Sequence, residues 1–534
     1  MKKILLYTIT CLCLITACKN KEKNDQKDSK GNKITKRDYS ITKANSYSTL
    51  FMDSAVMEKF IIDNKLDEEI TRRMRSFYNS RNYQYAWFSN DGLTEQARGF
   101  WNLHEYATTY SGDTSLKDKK LQNQMDDYIY DASLTLSDKN TSVLNTELQL
   151  THHFIKYMLG NYEDGVVKRK EMERFIPYMK QDALALADSL INKKHKDDKY
   201  FEDANKSYGD LKAQLKKYVD IAKKGGWPVV PEVKGLRLNA TNPVVALLKK
   251  RLQITGELAG NDTSAVYTAE LANAVKLYQQ SLGLTPDGIA ATSIIKGMNV
   301  TAKQRVQQIL INMERMRWSI EKPNDHLALV NIPEFMLHAF EKGKKAFDMR
   351  VVVGKQTNNT MVFNGDLNTV VFSPYWNIPT SIVNKEIKPG IARNANYLES
   401  HNMEVVDGEY RQRPGAGNSL GKVKFLFPNS FNIYFHDTPS KSLFNEDKRA
   451  FSHGCIRLSD PEKMANYVLS NNPEWTPEKI KAAMNKGTEQ HVKVKNPIPV
   501  IITYYTAWVD ETGKLNFRDD IYKHDAEVIS KMFL

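Results

Sequence analysis

"HLALVNIPEFMLHAF", residues 326 to 340, marks the place where the chain changes texture. From here on come short runs rich in Val, Ile, Phe and Tyr: "FDMRVVVGK" (347–355), "NTVVFSPYWNIP" (368–379), "KVKFLFPN" (422–429), "NIYFHD" (432–437) and "IPVIITYYTAWVD" (498–510). Pro, Asn and Gly punctuate them. β-Branched and aromatic residues fit a pleated, half-buried surface, so these runs predict strands. Residues 323–510 therefore read as a mainly-β domain, with 511–534 as a C-terminal extension. Between Pro379 and Pro414 lies "TSIVNKEIKPGIARNANYLESHNMEVVDGEYRQR", longer than an ordinary connection and partly helix-like. A long insertion inside a β domain commonly serves as a lid or binding loop, and 379–414 is expected to cap a site.

The chain before residue 323 reads as helical. "SAVMEKFIIDNKL", "LTHHFIKYML" and "DALALADSLINKK" place apolar residues at three-and-four spacing, which predicts an all-α scaffold domain over 46–225. "KKGGWPVVPEVKG" breaks that pattern with Gly225, Gly226, Pro228 and Pro231 and reads as a linker. A small helical domain follows over 236–300. Val244, Leu247, Leu248, Arg251 and Leu252 share one helical face, as do Leu271, Ala274, Val275 and Tyr278, and Pro286, Asp287 and Gly288 supply a turn. One more helix is expected over 301–322, with Val306, Ile309, Leu310, Met313 and Met316 as core. The fold class is α+β multidomain.

With 534 residues, 41% of them hydrophobic and 26% charged, the chain has material for two to four domains and is not disordered as a whole. The net charge of +13 comes from lysines interleaved with acids, as in "NKKHKDDKYFEDANK". That pattern describes a solvated surface, with attraction to anionic membrane or wall polymers as the alternative, and no nucleic-acid partner is expected. Lys2 and Lys3 precede an apolar run, Ile4 to Ala17, that is too short to span a bilayer and reads as an export signal. The polar, charged stretch 19–45 has little to bury and reads as a tether. Beyond Cys11, Cys13 and Cys18, all within or at the end of the apolar run, the one remaining cysteine is Cys455. A lone thiol in an exported protein can form no intramolecular disulfide.

Cys455 sits in "AFSHGCIRLSD" (450–460), nineteen residues after His436. A loop of that length can bring the two together, with His436 as base and Cys455 as nucleophile in a thiolate–imidazolium pair. Gly454 would let backbone N–H groups approach a developing oxyanion. "LSDPE" is a helix start, with Ser459 or Asp460 as cap and Pro461 in the first turn. Other readings stay open. Cys455 as an inert core residue sits poorly beside His453 and Arg457. His436, His453, Cys455 and Asp437 have spacing that can serve zinc, though there is no second cysteine and no paired-histidine motif. Arg457 either pairs with an acid such as Asp460 or grips a substrate carboxylate.

"HDTPSKSLFNEDKRAFSHGCIRLSDPEKMA" resembles the signature of the L,D-transpeptidases, in which a histidine is followed by Ser-His-Gly-Cys, an apolar residue and Arg or Asn. "SPYWNIPTSIVNKEI", "RQRPGAGNSLGKVKFLFPN" and "IYFHDTP" are similar to the large multidomain branch, with a helical scaffold, a peptidoglycan-binding module and a capped, β-sandwich-like catalytic domain. "FYNSRNYQYAW" (77–87) resembles the start of that scaffold. "AVKLYQQSLGLTPDG" resembles the three-helix peptidoglycan-binding domain. "LITAC" resembles a lipobox, with Cys18 as the lipidated first residue of the mature chain.

The resemblance implies that Cys455 is acylated and that His436 is its base, oriented by the backbone carbonyl of Asp437, where the family often has Gly or Ser. It implies that His453 and Gly454 shape the oxyanion region and that Tyr434, Arg457, Trp376 and Ser452 line the substrate groove. The implied protein is an exported, membrane-anchored lipoprotein facing the periplasm. It would release D-Ala from peptidoglycan tetrapeptide stems and join the acyl group to a second stem in a 3→3 cross-link, with no cofactor and no metal. The same nucleophile would serve an L,D-carboxypeptidase or the ligation of protein to peptidoglycan. A non-catalytic wall-binding lipoprotein would need none of Cys455, His436 and Arg457.

Overall fold

The computed structural model describes residues 33–110, 114–130, 136–137, 139–162, 175–192, 206–318 and 326–534. Cys18 and the first part of the expected tether, 19–32, lie outside the described residues. The chain divides into two compact units, one reaching to Gly92 and including Ser133–Met179, the other Leu93–Ala132 and Lys180–Leu534. The helices expected of a 46–225 scaffold are thus divided between them. The first unit holds α1 (Ser54–Asp63), α2 (Glu68–Ser80) and α5 (Thr141–Tyr162), and the second holds α3 (Glu95–Tyr110), α4 (Lys119–Tyr130), α6 (Ala183–Ile191) and α7 (Lys206–Lys223).

In the first unit, α1 and α2 start on aspartates whose carboxylates accept amide hydrogens of the first turn, Asp53 from Ala55 and Asp67 from Ile70. Their apolar faces bury Met57, Phe60, Met74, Phe77 and Tyr78, and Trp87 packs edge-on against Phe154 of α5 with ring centroids 5.4 Å apart. Residues 33–45, expected to be tether, are packed. Ile34 and Ile41 are buried, and the Asp38 amide donates to the Asn79 carbonyl at 2.9 Å. Two isoleucines suffice to anchor a stretch that is polar on average.

In the second unit, α8 (Val244–Thr255), α9 (Ala269–Ser281) and α10 (Thr292–Asn299) enclose a core of Val245, Leu248, Leu252, Leu271, Val275, Tyr278, Ile294, Ile295 and Met298. The face of α8 is turned slightly from the expected one, since Val245 is buried and Val244 and Leu247 only partly so. Arg251 is buried too, because its guanidinium lies 3.8 Å from the centre of the Trp227 ring and donates to the Met298 carbonyl. Helix α11 (Ala302–Met316) begins at a capping box, with Thr301 Oγ1 accepting from the Gln304 amide and Gln304 Oε1 from the Thr301 amide. Met313 and Met316 are buried.

The C-terminal third is β. Strands β1 (His326–Asn331), β2 (Met336–Glu341), β3 (Lys344–Gly354), β4 (Phe363–Phe372), β8 (Val423–Leu426), β9 (Phe435–His436), β10 (Ala450–Ser452), β11 (Ile456–Leu458) and β12 (Gln490–Thr503) form one sheet. Its order is β10-β3-β11-β9-β8-β4-β12-β1-β2, and β2 also pairs with β3. The pairings from β3 round to β2 therefore close a ring, which leaves few exposed edges. Inside pack Val330, Leu337, Val351, Val370, Phe372, Phe425, Phe435, Ile456, Leu458 and Val500. The insertion after Pro379 completes a separate three-stranded sheet, β5 (Trp376–Asn377), β7 (Glu409–Gln412) and β6 (Met403–Val406) in that order, over its own core of Ile378, Ile382, Val383, Ile387 and Met403.

The stretch 511–534 is not an appendage. Tyr522 joins the β core, and Asp525 pairs with Arg315 of α11 at 2.6 Å. Val528 and Met532 give its helix a buried face, which the short polar runs around it obscure in the sequence.

Candidate active site

The site is built by the alternation of two short neighbouring strands. β9 and β11 run parallel, with Phe435 beside Ile456 and His436 beside Arg457, and the Ile456 amide donates to the Tyr434 carbonyl at 3.1 Å. Phe435, Ile456 and Leu458 point into the core. Successive side chains of a strand take opposite faces, so Tyr434, His436, Cys455 and Arg457 share the outer face. His436 and Cys455 are diagonal neighbours, about 8 Å apart between α-carbons at ideal strand spacing, within side-chain reach. The nineteen-residue spacing is thus the connection between two adjacent strands, with the short edge strand β10 within it.

His436 is buried and its Nδ1 lies 2.5 Å from the carbonyl oxygen of Asp437. A carbonyl only accepts, so Nδ1 carries the hydrogen and Nε2 is left as the basic nitrogen. The backbone role expected of Asp437 is therefore present. Its carboxylate is engaged on the other side. Oδ1 accepts from the Thr438 amide at 2.7 Å and from Lys441 Nζ at 2.6 Å, and Oδ2 from the Lys422 amide at 2.8 Å. The carboxylate fits only because residue 421 is glycine, where a Cβ would stand 2.3 Å from Asp437 Cγ. Gly421 carries no sequence signal for this, because it meets Asp437 from the neighbouring strand, whereas Lys441 lies only four residues beyond Asp437.

The loop bearing Cys455 is tied to itself and to its surroundings. Ser452, expected along the groove, is buried, and its hydroxyl donates to the Cys455 carbonyl at 2.6 Å while accepting from the Gly454 amide at 3.1 Å. The Gly454 amide is thereby engaged. The Cys455 amide makes no hydrogen bond among the described residues, which leaves it as the donor for an oxyanion. Gly454 has φ +121°, a conformation that disfavours any other residue. Its carbonyl accepts from Thr360 Oγ1 at 2.7 Å, Thr360 Oγ1 in turn accepts from the Gly354 amide at 2.9 Å, and Tyr522 donates to the Gly354 carbonyl at 2.6 Å. The C-terminal segment thus braces the loop through Thr360, a link that no motif announced.

Electrostatics correct one expectation. Burial pushes the Cys455 thiol up to about 11. Burial first, then the positive charges of Arg457 and Lys424, bring the His436 imidazole down to about 3. In the ligand-free site both groups are neutral, so the expected thiolate–imidazolium pair is not the resting state. Tyr434 stays protonated because it is buried beside Cys455.

Arg457 makes no ion pair among the described residues, and its Nε is buried without a hydrogen-bond partner. The alternative of a pair with Asp460 is not realised. Asp460 instead accepts from the Lys463 amide at 3.0 Å as the cap of helix Pro461–Val468. His453, on the exposed side of the loop, donates Nε2–H to Glu386 of the insertion at 3.0 Å. Trp376 lies at the root of the insertion, packed on the cap's apolar core. With His453 bonded to Glu386 and the Asp437 carboxylate to Lys441, the four groups weighed as zinc ligands do not converge. No cluster of three His, Cys, Asp or Glu suited to a metal occurs among the described residues.

Residues 325–502 match the L,D-transpeptidase catalytic domain (YkuD), residues 72–215 a scaffold domain, and residues 241–295 a "Putative peptidoglycan binding domain". The chain is 30% identical over 283 residues to a "Putative L,D-transpeptidase" of Haemophilus influenzae, a match covering 49% of this chain and 55% of that protein. It thus spans about half the length of that curated relative. Among solved structures it resembles an L,D-transpeptidase from Mycobacterium smegmatis (14% identity, 34% of this chain and 58% of that chain, TM-score 0.21). It also resembles one from Stackebrandtia nassauensis (11% identity, 52% of this chain and 96% of that chain, TM-score 0.23).

Proposed function

We infer that residues 325–502 work as an L,D-transpeptidase catalytic domain, preceded in the chain by a scaffold domain and a peptidoglycan-binding domain. We propose that the protein forms 3→3 cross-links in peptidoglycan through a thioester on Cys455. The observation that supports this most is the common face of Tyr434, His436, Cys455 and Arg457, with Nδ1 of His436 held by the Asp437 carbonyl.

Cys455 Sγ attacks the carbonyl between the diamino acid at the third position of a donor stem and its terminal D-Ala. Because thiol and imidazole are both neutral at rest, the thiol proton passes to His436 Nε2 as the C–S bond forms, and the developing oxyanion faces the Cys455 amide. The proton then moves from Nε2 to the leaving nitrogen, the C–N bond breaks, and D-Ala departs. The side-chain amine of an acceptor stem attacks the thioester, gives its proton to Nε2, and the sulfur leaves and is reprotonated. The unpaired guanidinium of Arg457 suits a stem carboxylate. The cap, reaching the loop through Glu386, would keep water from the thioester and so favour transfer over hydrolysis.

Part of the proposal is that the chain is exported and held at a membrane by lipid on Cys18, facing the periplasm, as the apolar run ending in "LITAC" suggests. The catalytic reading is tested by mass spectrometry of the intact protein after addition of disaccharide-tetrapeptide. An adduct of the stem less D-Ala, lost in Cys455→Ala, is the expected result, and an adduct elsewhere or none would contradict the thioester route.

A further inference from the structure

The outer face that carries His436 extends one strand further. β8 runs antiparallel to β9 with Lys424 directly beside His436, just as Arg457 stands beside it on β11. Phe425 on β8 points into the core with Phe435 and Ile456, so Lys424, His436 and Arg457 form a row across three adjacent strands. The two cationic stems flank the histidine, about 10 Å apart between α-carbons at ideal strand spacing.

Neither cation forms an ion pair among the described residues. Lys424 is half-buried, and among the described residues its side chain makes one hydrogen bond, from Nζ to the Tyr375 carbonyl at 3.3 Å. The nearby acid, Glu489, directs its carboxylate elsewhere, Oε2 accepting from the Tyr375 amide at 2.7 Å and Oε1 lying 3.0 Å from His491 Nε2. Arg457 is unpaired, as described above. Desolvation makes the charge of Lys424 costly, and its acidity is raised accordingly. Two desolvated, unpaired cations on either side of one base are a standing cost that an anion on each would offset.

Building on the proposed transpeptidation, we propose that Lys424 and Arg457 form a two-point carboxylate clamp, and that Lys424 selects donor stems whose third residue carries a free side-chain carboxylate. The chemistry of the donor matches the row. The attacked carbonyl carbon lies between the terminal D-Ala carboxylate on one side and, in a diamino diacid, the side-chain carboxylate on the other. A stem with lysine at the third position, or with that carboxylate converted to an amide, lacks the second anion and leaves Lys424 unpaired. Binding of both anions also cancels the positive field at His436, whose charged neighbours are Arg457, Lys424 and Asp437, so the correct donor strengthens the base that activates Cys455.

The test is calorimetric binding of disaccharide-tetrapeptides to the full chain bearing Cys455→Ala, which cannot turn over. The probes carry a diamino diacid with its side-chain carboxylate either free or as the carboxamide. The free acid should bind about tenfold or more tightly than the amide, the loss typical of an unpaired charge. Adding Lys424→Met should erase that ratio, and Lys424→Arg should keep it, a pattern that general destabilisation does not produce. Equal binding of the two probes to the parent, or an unchanged ratio in Lys424→Met, overturns the clamp. A ratio that behaves as expected in a protein whose Cys455 form never acylates would keep the clamp and remove the transpeptidase reading.

Discussion

Nε2 of His453 in the catalytic loop and Oε1 of Glu386 in the capping insertion are joined by a 3.0 Å hydrogen bond. It links the residue two before the cysteine to a segment that has its own core and its own sheet. Glu386→Ala should therefore loosen the cap without touching Cys455. With disaccharide-tetrapeptides, the ratio of cross-linked dimer to hydrolysed tripeptide should fall several-fold, while the rate of thiol acylation changes little. An unchanged ratio in the folded variant would make this contact incidental to water exclusion.

The neutral resting pair has a pH signature. A thiol near 11 is ionised at pH 7 in only about one molecule in 10,000, and its thiolate fraction rises about tenfold for each pH unit until the thiol titrates. Alkylation of Cys455 by iodoacetamide in the ligand-free protein should accordingly climb from pH 7 through pH 10. A plateau already reached at neutral pH would show a preformed thiolate–imidazolium pair instead.

Thr360 holds the loop by accepting from Gly354 and donating to Gly454, so Thr360→Val leaves two backbone groups unpaired at a cost of about 1–3 kcal/mol each. Acylation should slow by about tenfold or more, because Gly454 and Cys455 lose their placement. Thermal unfolding together with the acylation rate checks this. A lower melting temperature at an undiminished rate would confine Thr360 to stability.

Replacing Cys18 with Ala should move the protein from the membrane pellet to the soluble fraction of cells. The lipid-anchor proposal fails if the distribution does not change.

The strands were legible because their residues alternate between Val, Ile and Phe and turn-forming Pro, Asn and Gly, and the helical core positions followed from spacing. Cys455 was legible because His453 and Arg457 are poor company for a core cysteine, and His436 because a span of nineteen residues can return to it. Lys424 was not, since "KVKFLFPN" reads as a strand with a solvated lysine, and only the register of β8 against β9 sets that lysine beside His436. Glu386 lay hidden for a similar reason, as one acid among several in a long insertion. Ser452, placed along the groove by the resemblance alone, is buried, because the tight turn holds its hydroxyl inside. Ile34 and Ile41 were lost in a polar average, and Tyr522 lay in a segment whose contacts are all distant in sequence.

In the proposed reaction Cys455 passes a stem acyl group to an amine, not to water. Its most direct measurement is mass spectrometry of the products formed when the purified protein is incubated with disaccharide-tetrapeptides. A dimer linked between the third residues of two stems is expected together with free D-Ala, both absent with Cys455→Ala. Disaccharide-tripeptide and D-Ala without dimer would contradict it and make the protein a carboxypeptidase.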